Sequence, residues 1–412
     1  MTRRRTISGR PANPLALLAV GILTTTFGAG SLAPSQAHPT GDSQAILKLA
    51  RATLEKGNTD KAVGILSRLP EKDGESHFAA GALLVEHKAY AAAAKEFGLA
   101  RQTYKDPYLA GYDEVLAYVS AEDYAAAIDA ANALLTQGFQ TSELAELAGT
   151  AYQKSGQTQQ AYNAFRLATH LNPKNEDAYL GLCEIALDKE TYDLGVEIAG
   201  VGLSNLPNSE RLYVQRGVMR AMKGQFEEAQ KDFSKASELA PNEVLPDVAL
   251  GLVAMQNGDL EKSVHYLRHA AERHPDSYLA HYWFGKALER SGAAPGTKEG
   301  DELLRALQTS VQLNPNFWHS RTDLGKILIS RGEVDLAIAH LQKATELNPS
   351  ATSPLYLLAQ AYRRKGDEAH ASELLKRVST MQTEEREALP QATLKSIVRQ
   401  GTPADSATQD KH

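Results

Sequence analysis

The chain has 412 residues, of which 23% are charged, and a formal net charge of −6. This acidic balance argues against sequence-independent binding to nucleic-acid backbones, and a single cysteine, Cys183, excludes an internal disulfide. Only 7% of the residues are aromatic, which fits many small seams between helices better than one large core.

Residues 1–37 carry the pattern of an export signal. Arg3, Arg4, Arg5 and Arg10 form a basic start, residues 15–27 are uncharged and largely apolar, and Ser35-Gln36-Ala37 is a small-x-small cleavage pattern. We expect cleavage near Ala37 and a periplasmic or secreted protein. Losing four arginines and no acid would take the net charge from −6 to −10. An uncleaved membrane anchor is the alternative, and Arg4-Arg5 leaves both the general and the twin-arginine export routes open.

After a short linker at residues 38–41, three copies of a helical unit occupy residues 42–139, and the second copy matches well. The first copy is degenerate, as expected of an end repeat whose outer face meets water. The three copies are marked in turn by Gly57, Ala62 and Leu66, by Gly81, Tyr90, Ala93, Phe97 and Ala100, and by Tyr118, Tyr124 and Ala127.

The unit is clearest over Ser142–Asn175. Apolar or small residues at a spacing of three and four predict an amphipathic helix over 144–155, and Gly156 suits the helix end. A second helix is predicted over 159–171, because Pro173 cannot continue a helix and restricts the residue before it. With Ser142 as place one, the characteristic places eight, eleven, fifteen, twenty, twenty-four, twenty-seven and thirty-two hold Gly149, Tyr152, Gly156, Ala161, Phe165, Ala168 and Pro173.

The prolines show how far the period extends. Pro173, Pro207, Pro241 and Pro275 are 34 residues apart, Pro315 follows after 40, and Pro349 after another 34. Glycines recur at places eight and fifteen in the same register. One helical hairpin cannot bury its own apolar face, so such units stack.

This pattern resembles the tetratricopeptide repeat. The resemblance implies an all-α, right-handed superhelical solenoid of about ten helical hairpins, here over residues 42–378. It also implies a scaffold that holds proteins or peptides on a concave surface lined by the first helices, without enzyme activity, catalytic residues or cofactor. A capping segment would follow at 379–400 and a disordered tail at 401–412.

Two repeats depart from the pattern. In the repeat from Glu176, Gly195 and Ala199 are smaller than usual, which predicts a locally looser seam, and Cys183 is interpreted as a small packing residue. The repeat from Tyr278 has six extra residues, and the stretch 293–301 is predicted to be a loop between its two helices because it contains Pro295 and two glycines.

One constellation of metal-binding residue types occurs. Glu261, His265 and His269 are four residues apart and share one helix face, a spacing that can bind zinc. Their repeat places usually face solvent, however, so we interpret them as polar surface and expect no metal site.

The candidate binding surface follows from the helix geometry. Places five, nine and twelve of each first helix are four and three residues apart, so they share a face, which by resemblance is the concave one. Along the chain this face passes from acidic, at Glu146, to apolar and then to basic. The predicted peptide-binding groove consists of Val214, Val218, Val248, Leu252, Met255, Tyr282, Lys286, Arg290, Lys326, Tyr356 and Arg363.

We hypothesise that the apolar part of this groove binds apolar side chains of a peptide, whose acidic end lies toward Lys286, Lys326 and Arg363. The alternative is that the apolar stripe packs against the opposite wall of a tight superhelix. The expected partner is another protein or peptide of the cell envelope, not a nucleic acid. Alternatively, the protein is an accessory subunit of an envelope enzyme or assembly machine, or a metal-dependent enzyme.

Overall fold

A computed structural model describes residues 41–381, in which helices alternate with short turns. The signal, most of the linker and capping segments and the tail expected from the sequence lie outside this range. In the described part, nineteen complete helices are followed by a helical segment over 368–381. They are α1 (Gly41–Leu54), α2 (Thr59–Leu66), α3 (Gly74–Glu86), α4 (Tyr90–Ala100), α5 (Pro107–Ser120), α6 (Tyr124–Thr136), α7 (Ser142–Lys154), α8 (Thr158–Leu171), α9 (Glu176–Asp188), α10 (Tyr192–Asn205), α11 (Glu210–Met222), α12 (Phe226–Leu239), α13 (Val244–Gln256), α14 (Leu260–Arg273), α15 (Tyr278–Arg290), α16 (Lys298–Leu313), α17 (Trp318–Arg331), α18 (Val334–Leu347) and α19 (Thr352–Lys365).

These helices follow one another as ten hairpins, from α1–α2 to α19 with the segment 368–381. The prediction of an all-α repeat array of about ten hairpins is therefore confirmed. The array divides into two compact units, and the boundary falls within α11, between Gln215 and Arg216. We call residues 41–215 the N-terminal unit and residues 216–381 the C-terminal unit. No helix in the described range is long and apolar enough to cross a membrane.

Identifiable residues set the helix ends in the clearest repeat. The Thr141 hydroxyl accepts a hydrogen bond from the Leu144 amide at 3.2 Å and so caps α7. Gly156 has a φ of 77°, the left-handed conformation that glycine adopts without strain. Asn172, which precedes Pro173, leaves helical angles at φ −137° and ψ 99° and ends α8.

In each clear hairpin, a glycine of the first helix packs against a large side chain of the second helix. A Cβ atom added to Gly149 would lie 2.7 Å from the Phe165 ring, and one added to Gly325 would lie 2.5 Å from Leu341 Cγ. Both distances are shorter than carbon atoms tolerate. The glycine at place eight thus lets the first helix approach the large residue at place twenty-four of the second.

The fifth hairpin, α9–α10, reverses this size relation. Cys183 stands at the glycine place and Ala199 at the large place, and both are fully buried. The Cys183 thiol lies 3.9 Å from the Gly195 carbonyl oxygen. The expected looser seam therefore leaves no solvent-accessible gap, because the larger cysteine compensates for the smaller alanine. Burial raises the thiol pKa to about 12, which agrees with a packing role.

The inserted residues of the eighth hairpin lie between its two helices, as predicted, but the loop is shorter than expected. Residues 298–301 belong to α16, so the expectation of a loop up to Asp301 was wrong. The Thr297 hydroxyl accepts a hydrogen bond from the Gly300 amide at 3.0 Å and starts the helix there. Glu299 and Asp301 in the first turn interact favourably with the helix dipole.

The close approach of the helices predicts the effect of Gly217→Leu. A Cβ atom at this place would lie 2.8 Å from the Phe233 ring, so the substitution should lower the free energy of unfolding by about 1–3 kcal/mol. A urea melt followed by circular dichroism measures this. Gly200→Leu is the matched control, because a Cβ at helical Gly200 meets open space. An equal loss in both variants would contradict the packing account.

Candidate functional site on the first helices

The apolar half of the predicted groove is covered by neighbouring side chains. In the C-terminal unit, Val218, Val248, Leu252 and Met255 are at most 2% exposed and Tyr282 is 6% exposed. Val214, in the N-terminal unit, is likewise buried. In this structure these side chains contribute to the core.

The polar half of the predicted groove is more accessible. Arg290, Lys326, Tyr356 and Arg363 are exposed, and Lys286 is half-buried. The structure brings Tyr282, Lys286 and Lys326 together across α15 and α17, in the eighth and ninth hairpins. Tyr356 and Arg363 lie on α19 of the tenth hairpin.

The two lysines belong to a network of ion pairs. Lys286 Nζ lies 2.7 Å from Glu289 Oε2 and 3.1 Å from Asp323 Oδ2, and Lys326 Nζ lies 2.6 Å from Glu289 Oε1. Two positive charges are thus matched by two negative ones. The two lysines expected to form the basic stretch are therefore paired within the protein.

Burial and charge act against each other in this network. Burial alone would lower the pKa of Lys286, but the charges of Asp323 and Glu289 hold it above its ordinary value. Burial would raise the pKa of Glu289, but Lys286 and Lys326 hold it lower. Lys286 and Glu289 are therefore charged near neutral pH, whereas burial raises the pKa of Asp323 against the opposing charge of Lys286.

Asp323 was not predicted from the sequence. It holds place six, next to place five of the predicted binding face. Its ion pair is formed with Lys286 of the preceding hairpin. An acid at place six after a lysine at place nine of the previous repeat is the sequence signal that would have indicated this pair.

An aromatic cluster borders the network. Tyr282 and Phe317 meet edge to face with ring centroids 5.1 Å apart, and Trp318 stacks on His319 at 3.7 Å. Burial and the charge of Lys286 lower the pKa of His319 to about 4, so its imidazole is neutral at pH 7. Among the described residues, His319 Nδ1 is buried without a hydrogen-bond partner.

The tenth hairpin carries two exposed residues of the predicted groove. Tyr356 is 49% exposed, and Arg363, seven residues further along α19, pairs only loosely with Glu368 at 3.5 Å. The Arg364 side chain is already engaged within the protein, since its Nη1 donates a hydrogen bond to the Ile329 carbonyl oxygen at 2.5 Å. Tyrosine and arginine are the residue types that contribute most often to binding hot spots.

The possible metal ligands lie elsewhere. Glu261, His265 and His269 are exposed on α14. Among the residues that the structure describes, no group of three or more histidine, cysteine, aspartate or glutamate side chains is placed to hold a metal ion.

Family models of the tetratricopeptide repeat match the chain in four places, at residues 44–76, 210–243, 248–296 and 325–366. Together with the all-helical stack of hairpins, these matches define a helical-repeat protein that contains tetratricopeptide repeats. The match at 44–76 covers the stretch predicted to be a degenerate first repeat.

Two curated proteins are distantly similar to the chain. The protein CTR9 homolog of Arabidopsis thaliana is 21% identical over 274 residues, which are 57% of this chain and 25% of that protein. The TPR repeat-containing protein YpiA of Bacillus subtilis (strain 168) is 23% identical over 226 residues, which are 53% of this chain and 51% of that protein. The chain thus spans between a quarter and half of the length of these relatives.

A solved structure supports the fold. The crystal structure of the yeast Tom70 is similar with a TM-score of 0.50 at 15% sequence identity, over 86% of this chain and 89% of that chain. At this identity the similarity concerns the fold alone.

Proposed function

We propose that this protein is a scaffold that binds another protein or a peptide through the first helices of its last hairpins. The observation that carries the proposal is the exposure of Tyr356 on the same helix as Arg363. A large aromatic side chain that is half exposed, two helical turns before an arginine with a loose partner, suits a contact surface that a partner would cover. Arg290 adds a further exposed cation in the eighth hairpin.

In this proposal, the other residues of the predicted groove stabilise the helices that carry the binding surface. The buried apolar stripe keeps the helices of the C-terminal unit in register. The network of Lys286, Glu289, Asp323 and Lys326 fixes α15 against α17. A rigid support lowers the entropy that the surface loses on binding, and this favours affinity.

A capture experiment with a double variant tests this surface. We expect Tyr356→Ser with Arg363→Glu to weaken partner capture by about tenfold or more, since both contacts are lost. The matched control is Leu336→Ser with Lys343→Glu, which changes exposed residues at the same spacing on the second helix α18. Capture at the wild-type level by both double variants would contradict the proposal. The same loss of capture in both double variants would also contradict it.

We further propose that the protein acts in the cell envelope or outside the cell. The support is the sequence pattern of residues 1–37, which lie outside the described range. We expect the mature chain to begin at His38, and mass spectrometry of the purified protein determines this. A chain that begins at Met1 and sediments with membranes would instead indicate a retained anchor.

A further inference from the structure

A buried histidine in the second hairpin faces two hydrogen-bond acceptors. His77, on α3, is 3% exposed. Its Nδ1 lies 2.7 Å from Glu96 Oε2 on α4, and its Nε2 lies 3.2 Å from the carbonyl oxygen of Pro70, in the linker between the first and second hairpins. Glu96 is buried as well. One imidazole ring therefore connects both helices of the second hairpin to the linker that leads from the first.

Both contacts of the ring together require its protonated form. A carbonyl oxygen and a charged carboxylate only accept hydrogen bonds, and a neutral imidazole has a single N–H. The protonated ring of His77 donates to Glu96 and to Pro70 at the same time. A neutral ring keeps the shorter, charge-assisted bond to Glu96. Its Nε2 lone pair then faces the Pro70 carbonyl oxygen, so the contact with the linker is the one that is lost.

The charges around the ring favour its protonated form. The hydrogen bond to Glu96 raises the pKa of His77, burial opposes this effect, and the charges of Glu96 and Asp73 and the linker carbonyl raise the pKa further. Glu96 acts from α4 and Asp73 from the residue before α3. From the first hairpin, α1 contributes the uncharged hydroxyl of Ser43, which is bonded to Asp73.

Asp73 holds the other side of the same junction. Its Oδ2 accepts hydrogen bonds from Ser43 Oγ at 2.7 Å and from Ser76 Oγ at 2.6 Å. Burial would raise the pKa of Asp73, but these bonds hold it below its ordinary value of 3.8. Asp73 is therefore charged throughout the neutral and alkaline range. Of these two groups at the junction, His77 is the one whose contacts change there.

The first hairpin is the element that this junction controls. Within the described range it has a neighbour on one side only, so few other contacts oppose its opening. Its Leu54 and Leu66 belong to one apolar cluster with Phe78 and Leu84 of the second hairpin. Opening of the first hairpin would expose apolar side chains of this cluster.

We propose that His77 is a pH-dependent lock, which holds the first hairpin against the second while its ring is protonated and loosens it as the pH rises. Because the pKa of His77 is raised in the folded protein, the stabilisation is complete below pH 6.5, the ordinary value. It is lost as the pH rises through the higher pKa of the folded state. The lock lies in the N-terminal unit and is independent of the surface around Tyr356.

Hydrogen–deuterium exchange of the full chain tests the lock. It is followed by mass spectrometry at pH 6.5 and pH 9.5 and corrected for the intrinsic exchange rates. We expect the protection of α2 to fall about tenfold or more between these pH values, while α4 keeps its protection. In His77→Gln, whose side chain is uncharged at both pH values, the protection of α2 should be low at both. His87→Gln is the matched control, because it removes a half-buried histidine at the end of α3, and should behave as the wild type.

Nuclear magnetic resonance of the histidine rings gives a second measurement, which does not depend on opening. We expect the His77 ring to titrate with a midpoint above pH 6.5, and Glu96→Gln to lower that midpoint.

Four outcomes would overturn the inference. The first is equal protection of α2 at both pH values. The second is the same fall in wild type and His77→Gln, which would mean that another group titrates. The third is an equal fall across the N-terminal unit, which would indicate general loosening. The fourth is a His77 midpoint below pH 6.5.

Discussion

Replacing Asp113 with asparagine is expected to stabilise the protein by about 2–4 kcal/mol at pH 8. Asp113 is almost fully buried, and within the described range its Oδ2 lacks a hydrogen-bond partner. Burial raises its pKa from the ordinary 3.8 to about 7. This difference corresponds to about 4 kcal/mol between the protonated and charged forms, and asparagine removes the charge at nearly constant volume.

The effect has a defined pH dependence. Between pH 4 and pH 7 the folded protein keeps a proton on Asp113 that the unfolded chain has lost, so wild-type stability falls as the pH rises through this window. The gain from Asp113→Asn should therefore be near zero at pH 4, grow up to about pH 7, and stay constant above it.

Urea unfolding at pH 4, 6 and 8 measures this gain. Asp129→Asn, at an exposed position on the neighbouring helix α6, is the matched control and should change stability by no more than about 0.5 kcal/mol. Destabilisation by Asp113→Asn at pH 8 would show that the carboxylate is charged and stabilised by its surroundings.

The opposite result is expected for Asp232, a buried carboxylate with two cations. Its side chain accepts hydrogen bonds at 2.7 Å from Arg216 Nη2 and from Arg220 Nη1. Asp232→Ala removes the carboxylate that both guanidiniums share and leaves their charges partly buried. We expect it to lower the free energy of unfolding by about 3–5 kcal/mol.

Asp335 provides the comparison for Asp232. It pairs with Lys365 at 2.7 Å, but its side chain is 81% exposed, so Asp335→Ala should cost no more than about 1 kcal/mol. Both variants are measured by urea unfolding at pH 7. A similar small loss in both would mean that the two arginines are satisfied without Asp232.

The sequence predicts the fold well because the fold is local. Small, aromatic and glycine residues recur at fixed places, and each hairpin packs through those same places, as Gly149 against Phe165 shows. The start of α16 was not predicted, because the helix begins at a hydroxyl cap within a stretch that contains proline and two glycines.

The candidate site could be predicted only in part. Periodicity identifies the helix face on which Leu252 and Tyr356 lie, but not whether a neighbouring side chain covers that face. Leu252 is fully buried, whereas Tyr356 is half exposed. Pairs such as Lys286 with Asp323 depend on distances between hairpins that no single repeat contains. Asp113 was missed because the third hairpin was recognised by its aromatic residues, which do not reveal an acid in its core.

Site-specific photocrosslinking tests the scaffold function most directly. Tyr356 is replaced by a photoreactive phenylalanine derivative, and the cells that produce the protein are irradiated. Leu336, which is 56% exposed on the second helix α18, is replaced in the same way as the control. The account predicts one discrete crosslinked protein from position 356 and none from position 336. No adduct at position 356, or the same adducts from both positions, would contradict it.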